Sequence, residues 1–214
     1  MKLLPFLLCL LALQVQAQEE PAAARVNGVA ISQMRLERYF ADYLQAQGRA
    51  LASIRNPSVY KRLREQALND LIDKELLWQE ALRQGVSISE REVNAQIDQL
   101  RQALGPAKPF EQRLADAGFD NASFADYIRH ELAAQQVFMQ ASQVPEPAPA
   151  EVRAFYLANL DALQQASNQT DGASVEQEQG LELARRALFD QYQAQARQAL
   201  LQRLRDAGQV QRLE

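Results

Sequence analysis

Apolar residues recur every three to four positions along most of this chain, which is the spacing of amphipathic helices. The longest such run extends from Pro57 to Gln84, and Gly85 is placed to end it as a left-handed cap. Because its apolar stripe is wide, we expect other helices to pack around this helix from two sides. The stripe consists of Val59, Leu63, Ala67, Leu68, Leu71, Ile72, Leu76, Leu77 and Ala81.

Local signals predict where the other helices begin and end. Ser32 is placed to cap a helix that stops near Gly48, and Ser89 forms a capping box with Glu92. The alternating prolines of VPEPAPAE, residues 144–151, favour an extended connector. The remaining predicted helices are a short one around Phe110 and Leu114, one from about Asn121 to before Pro145, a short one within EVRAFYLANLDAL, and a long one from near Ser174 to Gly208.

Three of these helices show an apolar side that we expect to be buried. For the first helix these residues are Met34, Tyr39, Phe40, Tyr43 and Leu44. For the helix after Ser89 they are Val93, Ile97, Leu100 and Leu104. For the last helix they are Leu181, Ala184, Leu188, Tyr192, Ala196, Ala199 and Leu204.

Two short stretches near the chain ends have the composition of β-strands. In ARVNGVAIS, residues 24–32, strand-forming residues flank Asn27-Gly28, a dipeptide suited to a tight hairpin turn. In QVQRLE, Val210 and Leu213 are apolar positions of one short strand. We expect the hairpin at 25–31 to pair with the strand at 209–213. The sequence therefore predicts a mostly α fold with a small sheet formed by an N-terminal hairpin and a C-terminal strand.

The first residues have the pattern of a secretory signal peptide. Lys2 precedes an apolar run that is too short to span a membrane, and Val15-Gln16-Ala17 supplies a small-residue cleavage site. We expect cleavage after Ala17, followed by a polar linker at 18–24, and export to the periplasm. Cleavage removes Cys9, the only cysteine, so the mature chain has no thiol for a disulfide or a metal site.

The charge balance excludes two classes of partner. The formal net charge is −4, and it becomes more negative by one when the segment that carries Lys2 is removed. The chain has no basic block of the kind that neutralises nucleic-acid phosphates, and no dense Lys/Arg face for an anionic membrane. We therefore expect protein or peptide partners, no nucleic acid, and no stable membrane insertion.

Motif searches predict no catalytic residue, no cofactor and no metal. His130 and Glu131 resemble the start of the zinc-protease HExxH motif, but Ala134 occupies the position of the second histidine. His130 is the only histidine, so we interpret it as a helix-surface residue beside Arg129 and Glu131. Phosphate-binding loops and nucleophile elbows are also missing from the sequence.

Five segments, in their order along the chain, resemble the SurA-type periplasmic chaperones and their trigger-factor-like and parvulin-containing relatives. They are VNGVAIS, REQALNDLIDKELLWQEALRQGVSISEREVNAQIDQL, FEQRLADAGFDNASFADYIRHELAAQQV, PAEVRAFYLANL and LLQRLRDAGQVQRL. The resemblance implies a SurA N-domain-like helical chaperone fold, built from an N-terminal segment and a returning C-terminal helix. In that family, parvulin prolyl-isomerase domains are inserted between these two parts.

The corresponding insertion is too short here to be a catalytic domain. The resemblance implies a helical domain at 25–160 that residues 181–214 complete. A polar loop at 161–180 takes the place of the insertion. A separately folded domain needs at least about 50 residues. A parvulin signature also needs paired histidines, so the resemblance implies the binding scaffold and not the isomerase.

The predicted function is a periplasmic, ATP-independent holdase for unfolded or outer-membrane-bound polypeptides. The alternatives are a parvulin-type peptidyl-prolyl cis-trans isomerase and a dedicated adaptor of one secretion or assembly machine. Exposed aromatic and methionine side chains suit such clients because they adapt to varied sequences. The candidate client-binding residues are Tyr43, Phe110, Met139 and Tyr156. The 161–180 loop is also compatible with a homo-oligomer formed by exchange of the C-terminal helix.

Overall fold

The computed structural model describes residues 21–105, 109–160 and 177–213. The predicted signal peptide and residues 161–176 of the predicted polar loop lie outside the described residues. A 3-10 turn at Leu51–Ser53 links the first two helices. The strands and helices are β1 (Ala22–Val26), β2 (Val29–Ser32), α1 (Gln33–Ala46), α2 (Pro57–Arg83), α3 (Glu90–Leu104), α4 (Phe110–Asp116), α5 (Asn121–Ala141), α6 (Pro149–Ala158), α7 (Gln177–Ala207) and β3 (Val210–Arg212).

The three strands form an antiparallel sheet in the order β2-β1-β3. Asn27 and Gly28 join β1 to β2 with φ angles of 50° and 86°, the left-handed pair that a two-residue hairpin turn requires. Strand β3 pairs with β1 in the register Val26 to Val210. The mostly α fold with a small sheet made from both chain ends is thus confirmed.

Strand β1 begins at Ala22, inside the segment predicted as a linker. Ala23 and Ala24 are completely buried, and β1 contacts α1 and α2. Methyl side chains let the strand approach these helices closely. Alanine has a low strand propensity, so the composition of this segment alone does not predict a strand.

Polar contacts add to the strand pairing where the chain ends meet. The Asn27 backbone N–H donates to the Gln209 carbonyl oxygen over 2.8 Å, and the Gln209 N–H donates back to Asn27 Oδ1 over 2.7 Å. Arg205 Nε donates to Asp73 Oδ1 over 2.7 Å, which ties α7 to α2. Arg212 also bonds to Asn69 on α2. Residues far apart in sequence are thereby held at one end of the helical body.

Helix α2 lies at the centre and contacts α1, α5, α7 and β1. Its start at Pro57 and its end at Gly85 follow the prediction, and the Asn56 side chain caps its first turn. Every residue of its predicted stripe is buried except Val59, which is partly buried. Glu75 and Glu80 are also buried, which the pattern did not predict. Arg83 and Gln84 donate hydrogen bonds to the Glu80 carboxylate, and Arg203 Nη2 lies 3.6 Å from it.

The buried faces of two other helices differ from the prediction. On α1, Met34 is 58% exposed, whereas Leu36 is fully buried together with Phe40 and Leu44. On α7, Leu200 is buried and Ala199 is exposed. Neighbouring positions on a helix point about 100° apart. The side that is buried therefore depends on how the helices pack, which periodicity does not specify. Residues 177–180 belong to α7, which agrees with the helix predicted from near Ser174 and not with the loop bounds 161–180.

Candidate binding cleft

Two joined cavities lie along α4 and α5, the larger between these helices and α3, and the smaller between them and α1 and α2. Their volumes are about 590 and 380 Å³. We call them together the aromatic cleft, because Tyr39, Phe110, Phe119, Phe124 and Tyr127 line them. The lining residues that both cavities share are Asp42, Leu114, Ala117, Phe124, Tyr127 and Glu131.

The aromatic rings of the cleft contact one another in edge-on, tilted and stacked arrangements. Phe124 is the centre of the group, with ring centroids 5.8 Å from Phe110, 5.5 Å from Phe119 and 6.1 Å from Tyr127. Phe119 and Tyr127 are 5.4 Å apart. Rings at these separations attract one another beyond the effect of burial alone, which holds the wall of the cleft in a defined shape.

The turn between α4 and α5 places Phe119 in this wall. Gly118 ends α4 with a φ of 75°, and a side chain there would lie 2.9 Å from Arg38 Nη2. Asp120 then caps α5, because its carboxylate accepts a hydrogen bond from the Ser123 N–H over 2.7 Å. Between these two fixed positions, Phe119 lies under the Arg38 guanidinium, whose carbon is 4.9 Å from the ring centroid.

Helix α3 forms the opposite wall of the larger cavity. Val93, at its start, is fully buried against α5, as the apolar spacing of this helix predicts. Further along the same face, Ile97 and Leu100 are only partly buried, and Leu104 is 45% exposed. The predicted apolar face of α3 is therefore real, but its C-terminal half opens into the aromatic cleft.

Charged groups of both signs lie among the aromatic side chains. Glu131 pairs with Lys74, whose ammonium lies 5.5 Å from the centre of the Tyr39 ring. Burial, followed by the neighbouring Asp70 carboxylate, raises the pKa of Tyr39. Burial, followed by the Glu131 carboxylate, raises the pKa of Tyr127 to about 12. Both phenols are therefore neutral hydrogen-bond donors at physiological pH.

The raised pKa of Tyr127 predicts a loss of stability in alkali. An unfolded tyrosine ionises near pH 10. The contribution of Tyr127 to the free energy of unfolding is therefore complete below pH 10 and is lost as the pH rises to about 12. We expect the free energy of unfolding of wild-type protein to fall more steeply across that range than that of a Tyr127→Phe variant. Urea unfolding at pH 9.5 and pH 11.5 measures this difference. An equal fall in the free energy of unfolding for both proteins would contradict the prediction.

The structure does not bring the four predicted client-binding residues onto one surface. Phe110 is 7% exposed and lines the aromatic cleft from within the core. Tyr43 is half-buried against the core of α1 and α2, and its hydroxyl donates to Gln66 Oε1 over 3.2 Å. Met139 is 60% exposed and lies at a groove between α3 and α5 that adjoins the aromatic cleft. Tyr156 is half-buried on α6 and packs over Gly180.

Of the aromatic residues that line the cleft, only Phe110 was predicted as part of a site. Tyr127 and Leu104 match the apolar stripes of their helices, so they could not be told from core residues. Phe119 lies in a turn, outside any stripe. A large aromatic residue directly after a helix-ending glycine was the one sequence signal that pointed to this surface.

His130 lies on the surface of α5 and stacks on Trp78, with ring centroids 3.7 Å apart. Burial lowers its pKa. Across residues 21–105, 109–160 and 177–213, no three His, Cys, Asp or Glu side chains are grouped closely enough to hold a metal ion. In the same ranges, no helix is long and apolar enough to cross a membrane.

Comparison with known proteins identifies the family. The model of the SurA-like N-terminal domain matches residues 3–138, and the chain belongs to that family. The fold is also similar to a solved structure from work on two structurally related SurA-like chaperones of Campylobacter jejuni, the virulence factor PEB4 and the periplasmic protein Cj1289. That match has a TM-score of 0.54 at 13% identity and covers 91% of this chain and 100% of the other. The search of curated proteins found no match.

Proposed function

We propose that this protein is a periplasmic, ATP-independent holdase that binds unfolded or outer-membrane-bound polypeptides in the aromatic cleft. The observation that carries the proposal is a cleft lined by aromatic side chains in a member of the SurA-like N-terminal domain family. Export with cleavage after Ala17 belongs to the same proposal. It is supported by the N-terminal sequence pattern and by the similarity of the fold to SurA-like chaperones.

The chemistry of the cleft suits segments of unfolded chains. Apolar and aromatic side chains of a client gain free energy by leaving water for this lining, and the gain does not depend on their order. Leu104 and Met34 are exposed at the cleft, so an incoming side chain can reach an apolar surface without displacing the core. Acidic and basic groups lie side by side there, which favours neither sign of client charge.

We further propose that residues 25–160 and 181–214 form one domain, which β1 extends back to Ala22 and α7 extends back to Gln177. The segment between residues 160 and 177 takes the place of an isomerase insertion. The pairing of β1 with β3 and the contact between Arg205 and Asp73 support this division. The family match is to a chaperone-type N-terminal domain and not to a parvulin domain. The proposed activity is therefore binding without catalysis.

An aggregation assay tests the proposal. Mature protein starting at Gln18 is mixed with a chemically unfolded client, and light scattering is followed without ATP. We expect suppression of scattering at a few-fold molar excess of the protein. Unchanged scattering at several-fold excess would contradict holdase activity.

Two further measurements separate the alternatives. A proline-peptide isomerisation assay is expected to run at the uncatalysed rate, and turnover well above background would favour the isomerase. A pull-down from periplasmic extract is expected to return many outer-membrane proteins. A single stoichiometric band would favour a dedicated adaptor.

A further inference from the structure

A second groove, lined largely by glutamine, continues from the aromatic cleft between α3 and α5. Its volume is about 510 Å³, and we call it the glutamine groove. It shares Gln96, Leu132 and Gln135 with the larger cavity of the aromatic cleft, so the two form one continuous surface. The glutamines that line it are Gln96, Gln99, Gln135, Gln136, Gln140 and Gln143.

The amides of this groove are available to a partner. In the part of the chain that the structure describes, none of the six side-chain amides forms a hydrogen bond with another residue. Among the described lining residues, Glu92 alone is charged. Its carboxylate already accepts hydrogen bonds from the N–H and the hydroxyl of Ser89, over 2.8 and 2.6 Å. The groove therefore combines six amides with the apolar side chains of Ile88, Leu132 and Met139, and it carries almost no charge.

This lining complements a peptide main chain better than other ligands. A glutamine amide has both donors and an acceptor, as does each peptide group of an unfolded chain. Nucleic acid would need cations, which this groove does not supply from its described lining. A helix seated between α3 and α5 would satisfy its own backbone groups internally and would leave the six amides of the groove without backbone partners.

The dimensions also fit an extended segment. From Leu132 to Gln143 the groove follows about 16 Å of helix and the turn after it, at about 1.5 Å per residue. An extended chain rises about 3.3 Å per residue, so about five client residues would span this length. Side chains alternate along such a segment, so one of them can enter the adjoining aromatic cleft while the main chain stays in the groove.

We infer that the glutamine groove binds the main chain of an extended, unfolded polypeptide segment while an apolar side chain of that segment occupies the aromatic cleft. The inference rests on the proposed function and specifies how the client is recognised. Binding through the main chain explains tolerance of varied client sequences, because every peptide group offers the same donor and acceptor.

The test uses a capped seven-residue apolar peptide with one central tryptophan, and its twin that is N-methylated at alternate residues. The variant combines Gln99→Ala, Gln136→Ala and Gln140→Ala, all at exposed positions of helices where alanine is well tolerated. The control combines Gln191→Ala, Gln195→Ala and Gln198→Ala, which are exposed on α7. Tryptophan fluorescence in a variant background with Trp78→Phe, or anisotropy of a labelled peptide, reports the Kd.

We expect the groove variant to bind the unmethylated peptide at least about tenfold more weakly than the control, as the loss of about three hydrogen bonds implies. For the N-methylated twin, the two proteins should differ by less than about twofold. Equal affinities of variant and control for the unmethylated peptide would overturn the inference, and so would an equal loss for both peptides.

The same experiment separates this inference from the proposed function. If wild-type protein keeps an unfolded client soluble but binds neither peptide, the inference about the groove fails alone. If wild-type protein binds neither peptide and leaves aggregation unchanged, the proposed holdase function fails, and the inference fails with it.

Discussion

A variant carrying both Phe119→Ala and Tyr127→Ala is expected to bind unfolded client at least about 30-fold more weakly than the wild-type protein. Two aromatic anchors at about 1 kcal/mol or more each account for this change. The rings contact each other and Phe124, so their removal empties the middle of the aromatic cleft. The measurement is the molar excess needed to halve client aggregation, together with the Kd for a labelled unfolded client.

The matched control replaces Phe189 and Tyr192 by alanine. These residues are also a phenylalanine and a tyrosine that are half-buried, but they lie on α7. Thermal melts of both double variants establish that each is folded at the assay temperature. If the α7 control loses as much binding as the cleft variant, client binding is not located in the aromatic cleft.

A single exposed position provides a version of this test that leaves the core intact. Leu104→Asp places a charge at the edge of the cleft, and Leu51→Asp places one at a similarly exposed leucine outside it. We expect weaker client binding for Leu104→Asp only, because a charge in the apolar lining must lose hydration when a client binds. Equal binding by both variants would argue against a role for the α3 wall.

Deletion of residues 208–214 is expected to lower the free energy of unfolding by about 3 kcal/mol, because several net hydrogen bonds of about 1 kcal/mol are lost together. The deletion removes β3 and its pairing with β1. It also removes the reciprocal bonds between Asn27 and Gln209, and the bond from the Leu213 N–H to the Ala23 carbonyl oxygen. Urea unfolding of the shortened and full-length mature proteins measures the effect.

Gln211→Ala is the control for this deletion. Its side chain is exposed, and the substitution keeps the backbone pairing of Gln211 with Arg25. Surface substitutions of this kind usually change stability by less than about 0.5 kcal/mol. If the deletion also changes the free energy of unfolding by less than this amount, the pairing of the two chain ends does not stabilise the fold.

Much of the fold could be predicted because its signals are local. Asn56, Ser89 and Gly85 determine helix ends through bonds to residues a few positions away. The pairing of the two chain ends was predictable because Asn27-Gly28 marks a hairpin turn and the segment after Gly208 is too short for another helix. The start of β1 was not, since Ala22–Ala24 are strand residues only because of the helices that cover them.

The candidate site was less predictable, because exposure depends on the angle between helices. Val93 and Leu104 have the same place in the periodicity of α3, yet one is fully buried and the other is open to the cleft. Phe110 and Phe124 were predictable as apolar positions, but their common wall with Phe119 depends on the turn between α4 and α5. The six amides of the glutamine groove follow no apolar pattern, so only the packing of α3 against α5 reveals that they share one groove.

Site-specific photo-crosslinking tests the central claim, client binding in the aromatic cleft, most directly. A photoreactive side chain is placed at Leu104 or Met34, exposed residues that line the cleft, and in separate proteins at Leu51 or Leu82, exposed residues outside it. Each protein is irradiated with a permanently unfolded client. If clients bind in the aromatic cleft, we expect strong crosslinks from positions 104 and 34 and weak ones from positions 51 and 82. Equal crosslinking from all four positions, or stronger crosslinking from 51 and 82, would contradict it.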